Sequence, residues 1–209
     1  MPKEEPLIEV ASINHSICHE GMLFGFPSAR VTVGGRCGST MTPTEIFSEM
    51  RAHSMPFRIV LDGDPGSQPL ASFVQRAQNV GYCVAAVCDG STPVDWYANL
   101  DELVLKPEPV ASRSADDLPG LAHTIQMAHT GETFTAVSLQ ISVGGDADYE
   151  FARNIHDTYP GVPMWLVATG SSSLSDSGLQ DRLHWLSHRV IADHWEDVRV
   201  IPCIRPDSC

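Results

Sequence analysis

The feature that most constrains the fold is a regular alternation of apolar strand-like runs with amphipathic helical patterns along the chain. The strand-like runs are bounded by glycine, proline or aspartate, and the helical runs carry apolar residues at three- and four-residue spacing. The strand-like runs are LIEVAS, ARVTV, FRIVLDG, YCVAAVCDG, DELVLK, FTAVSLQISV, VPMWLVA and VRVIP. The helical runs are TPTEIFSEMRAH, QPLASFVQRAQNVG, ADDLPGLAHTIQMAH, DADYEFARNIHDTYP and a last helix that follows a serine-rich loop at 171–177. The pattern predicts about six βα units.

Local signals fix the start of one helix and the buried faces of two others. Thr42 at the N-cap, Pro43 at the first helical position and Glu45 at the third form a capping box, so a helix begins at residue 43. Apolar stripes predict the buried helix faces: Leu70, Phe73, Val74 and Ala77 in one helix, and Leu179, Leu183, Leu186 and Val190 in the other.

Successive βα units make parallel strands that are buried on both faces, either as a doubly wound sheet or as a partial or complete barrel. The 209 residues, 43% of them hydrophobic, predict one domain spanning 1–209 with a full core. Ligands bind at the carboxyl ends of the strands in both architectures, so chemistry is expected where the strands end.

Charge and composition exclude several classes of partner. The net charge is -13, the only lysines are Lys3 and Lys106, and the arginines are scattered, so we expect neither nucleic acid nor an anionic membrane to bind. No apolar run is long enough to span a bilayer, and the acidic N-terminus is unlike a signal peptide, which predicts a cytoplasmic protein. The six cysteines lack a Cys-x2-Cys pair, and Cys83 and Cys88 fall on opposite strand faces, so we interpret them as reduced apolar residues.

Several turns and helices, in their order along the chain, resemble one enzyme family. SICHEG is similar to that family's Gln-Gly-Glu-Gly turn, FRIVLDGDPGSQPL to its strand and Gly-Gly-Glu/Asn-Pro turn, and DWYANLDELVLKPEP to a stretch that ends in Ser-Pro-Lys-Pro. DADYEFARNIHDTYPGVP and RLHWLSHRVIADHWEDVRVIP resemble its later helices. The family is the 7-carboxy-7-deazaguanine synthases, radical S-adenosylmethionine (SAM) enzymes of the queuosine and 7-deazapurine pathway. The resemblance covers nearly the whole chain and implies a compact partial (βα)6 barrel of the radical SAM type.

The resemblance also shows what this chain lacks. In the family, a Cys-x3-Cys-x2-Cys loop after a glycine pair holds a [4Fe-4S] cluster, which needs several thiolates around one cube. Here Gly34 and Gly35 are followed by Arg36, a single Cys37 and then STMTPTEI, so the connection is short because the cluster loop is missing. We therefore expect no [4Fe-4S] cluster and no other cofactor or metal. The LDGDPG turn is one residue shorter than the family's SAM-binding turn, which argues against SAM binding.

The resemblance places nine residues at pocket positions. They are Glu20, Thr32, Arg36, Asp62, Asp64, Asp89, Ser91, Lys106 and Glu108. Thr32 stands where the family has an arginine, Lys106 where it has a serine, and Glu108 where it has a lysine. A preserved scaffold with changed contact residues indicates a folded pseudoenzyme that acts as a binding, partner or regulatory protein, linked to queuosine and 7-deazaguanine metabolism.

Other interpretations stay open from the sequence. The chain is alternatively an enzyme whose remodelled pocket binds a pterin, purine or SAM and performs non-radical chemistry with Asp62, Asp64, Asp89 and Glu108. The first three of these carboxylates suit a divalent cation, or Asp62 and Asp64 simply cap the following turn and helix. His15 and His19 with Glu20 suggest a metal site, or the two histidines are solvated loop residues.

We also predict the assembly state. After Ile201 the chain lacks the family's Gln-x-His stretch and closing segment, so an uncovered rim is expected to pair with a second copy. The expected homodimer uses residues 7–13 and 198–204, and another deazapurine-pathway protein is a further candidate partner. The alternative is a monomer in which residues 202–209 fold back over the rim.

Overall fold

A computed structural model describes residues 5–35, 38–52, 57–108, 118–130, 135–169 and 176–203. Nine strands form one sheet in the order β3-β1-β2-β4-β5-β6-β7-β8-β9. The strands are β1 Ile8–Ile17, β2 Pro27–Val33, β3 Ser39–Met41, β4 Arg58–Gly63, β5 Cys83–Cys88, β6 Glu102–Leu105, β7 Ala136–Val143, β8 Met164–Ala168 and β9 Val198–Pro202. The helices are α1 Pro43–Ala52, α2 Ala71–Asn79, α3 Pro119–Ala128, α4 Asp146–Thr158 and α5 Asp176–Ala192.

The strand order decides between the two predicted architectures. From β2 onwards, each parallel strand lies beside the next parallel strand in the chain, and only β1 pairs antiparallel with its neighbours. Right-handed crossovers between sequential neighbours all pass on the same side of the sheet, whereas a doubly wound sheet requires the order to reverse. The sheet is therefore a partial barrel with a helical layer on its convex face. A 3₁₀ turn at Asp95–Asn99 replaces a helix between β5 and β6.

The convex face carries the main core. Alternate strand residues such as Val31, Leu61 and Leu103 are buried against the helices, because successive side chains of a strand point to opposite faces. The predicted helix stripes are confirmed. Leu70, Phe73, Val74 and Ala77 are buried, Leu186 and Val190 are buried, and Leu179 and Leu183 pack against the same cluster.

The predicted capping box is present at the start of α1. The Thr42 backbone N–H donates to Glu45 Oε2 at 2.7 Å, and the Glu45 N–H donates to Thr42 Oγ1 at 3.3 Å. Two backbone donors that the helix itself leaves unpaired are thus satisfied. The helix begins at Pro43, as predicted.

The connection between β1 and β2, residues 18–26, fills the concave side of the barrel, and we call it the plug. The 3₁₀ turn Gly21–Leu23 follows β1, and the Gly21 N–H donates to Gln140 Oε1 on β7 at 2.6 Å. Gly21 has φ +44°, and a Cβ there would lie 2.8 Å from Ser138 Oγ, so both backbone conformation and space favour glycine. The plug completes a second apolar cluster inside the barrel, made of Cys18, Leu23, Val60, Ala85, Val87 and Val104.

The segment between Gly35 and α1 contains a strand that the sequence did not indicate. Ser39–Met41 forms β3, which pairs antiparallel with Ile8–Val10 of β1. A Cβ on Gly38 would lie 2.7 Å from the Val10 carbonyl oxygen, so the chain approaches β1 closely at this point. No strand was predicted in this short connection, and three residues of low apolarity form one there by backbone pairing with β1.

Two other boundaries differ from the predictions. Strand β1 continues to Ile17, beyond the predicted run, and α5 begins at Asp176, inside the predicted serine-rich loop. Residues 171–175 of that loop lie outside the described residues.

The predicted homodimer was expected to form through the N-terminal run and the C-terminal strand. Ile8 and Val10, in the predicted N-terminal contact run, are buried within this chain, and β3 covers the edge of β1 at these residues. Residues 204–209 lie outside the described part, so the fold-back of the C-terminal segment is untested, and the homodimer stays a prediction. Among the described residues, no helix has both the length and the apolar character needed to cross a membrane.

Candidate binding site at the barrel mouth

Arg30 forms the centre of a charged network on the concave face. It lies on β2, and its guanidinium binds Glu20 of the plug through Nη2 and Asp62 Oδ2 of β4 through Nη1, the latter at 2.7 Å. Glu20 is buried, and its Oε2 also accepts from Cys18 Sγ and from the His19 backbone N–H, each at 3.0 Å. One arginine thus joins two of the predicted pocket carboxylates.

The network sets the protonation of its members. Burial raises the pKa of Glu20, but the hydrogen bond and charge of Arg30 outweigh burial, so this pKa lies below its usual value of 4.5. Burial and the Glu20 carboxylate together raise the pKa of the Cys18 thiol to about 12. At neutral pH Glu20 is therefore an anion and Cys18 a neutral thiol.

The other predicted pocket residues surround the same mouth with different degrees of exposure. Thr32 lies directly beside Asp62 in the β2–β4 register and is half-buried, and Lys106 follows β6 and is also half-buried. Asp64, Asp89, Ser91 and Glu108 are exposed. The Asp89 carboxylate accepts from the Ser91 N–H and hydroxyl at 2.9 and 2.8 Å, so these two residues form a local turn. Arg36 lies outside the described residues.

The capping interpretation of Asp62 and Asp64 was wrong. Asp62 pairs with Arg30, and Asp64 precedes the 3₁₀ turn Pro65–Ser67 without a side-chain cap hydrogen bond. The sequence missed this because Arg30 is 32 residues from Asp62.

The metal alternatives find no support in the described part of the chain, where no group of three or more His, Cys, Asp or Glu residues has the geometry of a metal site. Neither histidine is fully solvated, and only His19 lies in a loop. His15 lies in β1, and both His15 and His19 are half-buried. The His19 ring meets Phe24 edge-on, with ring centroids 6.2 Å apart.

Three of the described cysteines, Cys18, Cys83 and Cys88, lie apart on the sheet. Cys18 is buried inside the barrel, whereas Cys88 packs on the convex core, so their thiols lie on opposite faces of the sheet. Cys83 and Cys88 fall on opposite faces, as predicted, and burial raises the pKa of Cys83 to about 11. These three thiols therefore do not converge on one point, as the ligands of a cubane cluster do.

The sequence also missed a row of side chains across β6 to β9. Gln140 is paired in register with Trp165, and Trp165 with Arg199. The neighbours of these residues along each strand belong to the convex core, so the row lies on the concave face with Lys106 beside it. Strand parity alone indicates the face, but the register that aligns the row is visible only in the structure.

A separate open groove of about 490 Å³ lies away from the mouth. It is formed by the N-terminal segment and the first turns of α1 and α2, where Glu5 binds Thr44 and Arg76. Its lining residues are Glu5, Pro6, Pro43, Pro69, Ala71, Ser72 and Arg76. None of the predicted pocket residues lines it.

Comparisons with known proteins agree with this architecture. No protein-family model matches the chain. The 7-carboxy-7-deazaguanine synthase of Bacillus subtilis is 28% identical over 130 residues, which cover 60% of this chain but only 54% of that protein. The Bacillus cereus enzyme of the same name is 26% identical over 173 residues, covering 78% of this chain and 71% of that protein.

The structural comparison supports the fold independently. The crystal structure of QueE from Escherichia coli superposes with a TM-score of 0.71, covers 95% of each chain and is 12% identical. The predicted partial barrel of the radical SAM type is thus confirmed. The chain is therefore similar in sequence to the two Bacillus 7-carboxy-7-deazaguanine synthases and shares the fold of QueE.

Proposed function

We propose that this chain is a catalytically degenerate member of its family, a pseudoenzyme that works as a binding, partner or regulatory protein without [4Fe-4S] and SAM radical chemistry. The observation that carries the proposal is the segment between Gly35 and Pro43. It holds one cysteine, and its residues Ser39–Met41 are paired with β1 as strand β3. The family's three-cysteine loop has no counterpart there.

The charged network supports a binding role more than a catalytic one. A general acid or base works best when its pKa lies near the operating pH. The pKa of Glu20 is below its usual value, and Arg30 holds both Glu20 and Asp62. These carboxylates are suited to fixing the shape of the mouth, because their charges are neutralised within the chain.

The cellular role follows from the relatives. Because the Bacillus relatives are 7-carboxy-7-deazaguanine synthases, we propose that the protein is cytoplasmic and acts in queuosine or 7-deazaguanine metabolism, alone as a homodimer or with another protein of that pathway.

Anaerobic reconstitution with iron and sulfide tests the proposal. The protein is expected to remain colourless after desalting, with no stoichiometric iron or sulfide, while the Bacillus subtilis synthase treated in parallel gains the absorption of a cubane cluster. A brown protein with the electron paramagnetic resonance signal of a reduced [4Fe-4S] cluster would disprove it. A Cys37→Ser variant then separates ligation at that segment from ligation elsewhere.

A thermal-shift titration with SAM provides a second test. A ligand that binds only the native state raises the melting temperature by mass action. We expect no shift with SAM, because the LDGDPG turn is shortened and Asp62 is held by Arg30. A saturable increase in melting temperature would favour the alternative of a remodelled enzyme pocket.

A further inference from the structure

Helix α5 carries two histidines that have no part in the barrel mouth. His184 and His188 lie in the interior of this 17-residue helix, Asp176–Ala192, and both are exposed. Residues four apart in an α-helix are neighbours on one face, with Cβ atoms about 5–6 Å apart. The two imidazoles therefore extend from neighbouring positions on the solvent face of the helical layer, outside the barrel.

The spacing of this pair suits the chelation of one metal ion. Two histidines at positions i and i+4 of a helix hold the zinc ion in the H-E-x-x-H motif of metalloproteases. Metal–nitrogen bonds of about 2.0–2.1 Å require the two ligand nitrogens to come within about 4 Å of each other, which neighbouring helix positions allow. The segment here reads HWLSH, so it has the two ligands without the glutamate base of that motif.

Both imidazoles are available to a metal ion. Neither His184 nor His188 has a hydrogen bond, an ion pair or a ring contact with another residue of the described ranges. His156 differs, because its Nε2 lies 3.0 Å from Asp197 Oδ1 and its ring stacks on Trp195. A neutral, exposed histidine gives up only water when it binds a metal ion, so the α5 pair is the better ligand.

The surrounding charges also favour a cation. The chain has a net charge of -13, and Asp181 adds an exposed carboxylate to the same stripe of α5, one turn towards its N-terminus. Two arginines lie on the adjacent stripe, but each is held by other groups. Arg182 lies over the ring of Trp185, and Arg189 binds Asp146.

We propose that His184 and His188 together bind one divalent late transition-metal ion, such as Ni²⁺, Cu²⁺ or Zn²⁺, on the surface of α5. Imidazole nitrogen suits these ions, whereas Mg²⁺ and Ca²⁺ prefer oxygen ligands. The described residues contain no group of three potential ligands, so water fills the other coordination positions and the ion exchanges readily.

The site is independent of the proposed function, because α5 belongs to the helical layer and not to the mouth. Reconstitution of an iron-sulfur cluster would overturn the proposed function and leave the histidine pair untouched. Failure of the pair to bind a metal ion would likewise leave the proposed function as it stands.

Titration calorimetry of the protein without a histidine tag tests the site, with NiCl₂ as the probe and MgCl₂ as the comparator. We expect Ni²⁺ to bind with a Kd on the order of 100 μM and Mg²⁺ to give no measurable binding. His184→Gln and His188→Gln are each expected to weaken Ni²⁺ binding about tenfold or more. Unchanged Ni²⁺ affinity in either variant would overturn the proposal.

Two matched double variants separate chelation from the mere presence of two histidines. His188→Gln with Gln180→His moves the i,i+4 pair one turn along α5 and should keep the Ni²⁺ affinity within about threefold. His188→Gln with Ile191→His keeps two histidines but places them two turns, about 10.5 Å, apart, so it should bind no better than His188→Gln alone. Equal Ni²⁺ affinity of the two double variants would contradict chelation by a neighbouring pair.

Urea denaturation checks that each variant is folded. Gln180, His184 and His188 are exposed, and Ile191 is 70% exposed, so none of the replacements removes a core side chain. Each variant is therefore expected to unfold at the same urea concentration as the unaltered protein, and a loss of Ni²⁺ binding then reports on the metal site itself.

Discussion

The two faces of the sheet carry different kinds of side chains. On the convex face, alternating apolar side chains meet the helices in one large core, and Phe73 stacks on Phe47 with ring centroids 5.0 Å apart. On the concave face, a few apolar side chains lie beside the Glu20–Arg30–Asp62 network and the aligned Gln140, Trp165 and Arg199. The convex face specifies the partial-barrel fold, and the concave face carries the charged residues of the candidate site.

The largest expected effect is on the convex face. Phe73→Ala removes a fully buried ring, and the lost transfer free energy plus the cavity should lower the free energy of unfolding by about 3–5 kcal/mol. Urea denaturation measures the change. The matched control is Val80→Ala at the end of α2, where Val80 is 56% exposed and a change within about 0.5 kcal/mol is expected. Equal effects at both positions would contradict the described core.

The next effect is on the concave face. Arg30→Met leaves the buried Glu20 carboxylate beside Asp62 without its cation. The free energy of unfolding is expected to fall by about 2–4 kcal/mol. This is less than for a fully buried pair, because the Arg30 side chain is 20% exposed. The double variant Arg30→Met with Glu20→Gln should recover part of that loss.

A surface ion pair supplies the comparison for this prediction. Arg189→Met breaks the pair with Asp146, whose side chain is 73% exposed, and should cost less than about 1 kcal/mol. If the Arg30 and Arg189 variants lose the same stability, the concave network has no special role in folding.

A smaller effect appears on acidification. The pKa of Glu20 in the folded protein lies below the usual 4.5, so its pairing stabilises the protein fully above that value. This contribution is lost as the pH falls through the lowered pKa. The difference in unfolding free energy between the unaltered protein and Glu20→Gln should therefore be constant near neutrality and shrink below pH 4.5. A difference that does not vary with pH would show that the carboxylate's charge is unimportant.

The smallest effect concerns the helical layer of the convex face. Thr42→Ala removes the side-chain oxygen of the capping box and should destabilise the protein by about 1 kcal/mol. Thr42→Ser keeps an oxygen at the same place and should recover most of the loss. Equal stability of the serine and alanine variants would mean that the cap contributes nothing.

The sequence predicted what local patterns encode. The spacing of apolar residues predicted the helix faces and the parallel strands, and the capping box predicted the start of α1. Each of these features depends on residues only a few positions apart. It missed β3, whose pairing with β1 depends on backbone geometry. It also missed Arg30, whose partners are 10 and 32 residues away, and the alignment of Trp165 with Arg199. Such pairings depend on strand register, which no local pattern encodes.

The plug has a consequence for the order in which the chain assembles. Most neighbouring strands come from adjacent βα units, so the sheet can grow along the chain as it is synthesised. The plug is the exception, since Gly21 must wait for Gln140, 119 residues later. At ordinary synthesis rates that interval is about 6–24 s. During this time Leu23 and Cys18 lack part of the barrel that buries them, and the nascent chain is expected to be most vulnerable to misassembly at its own N-terminal hairpin.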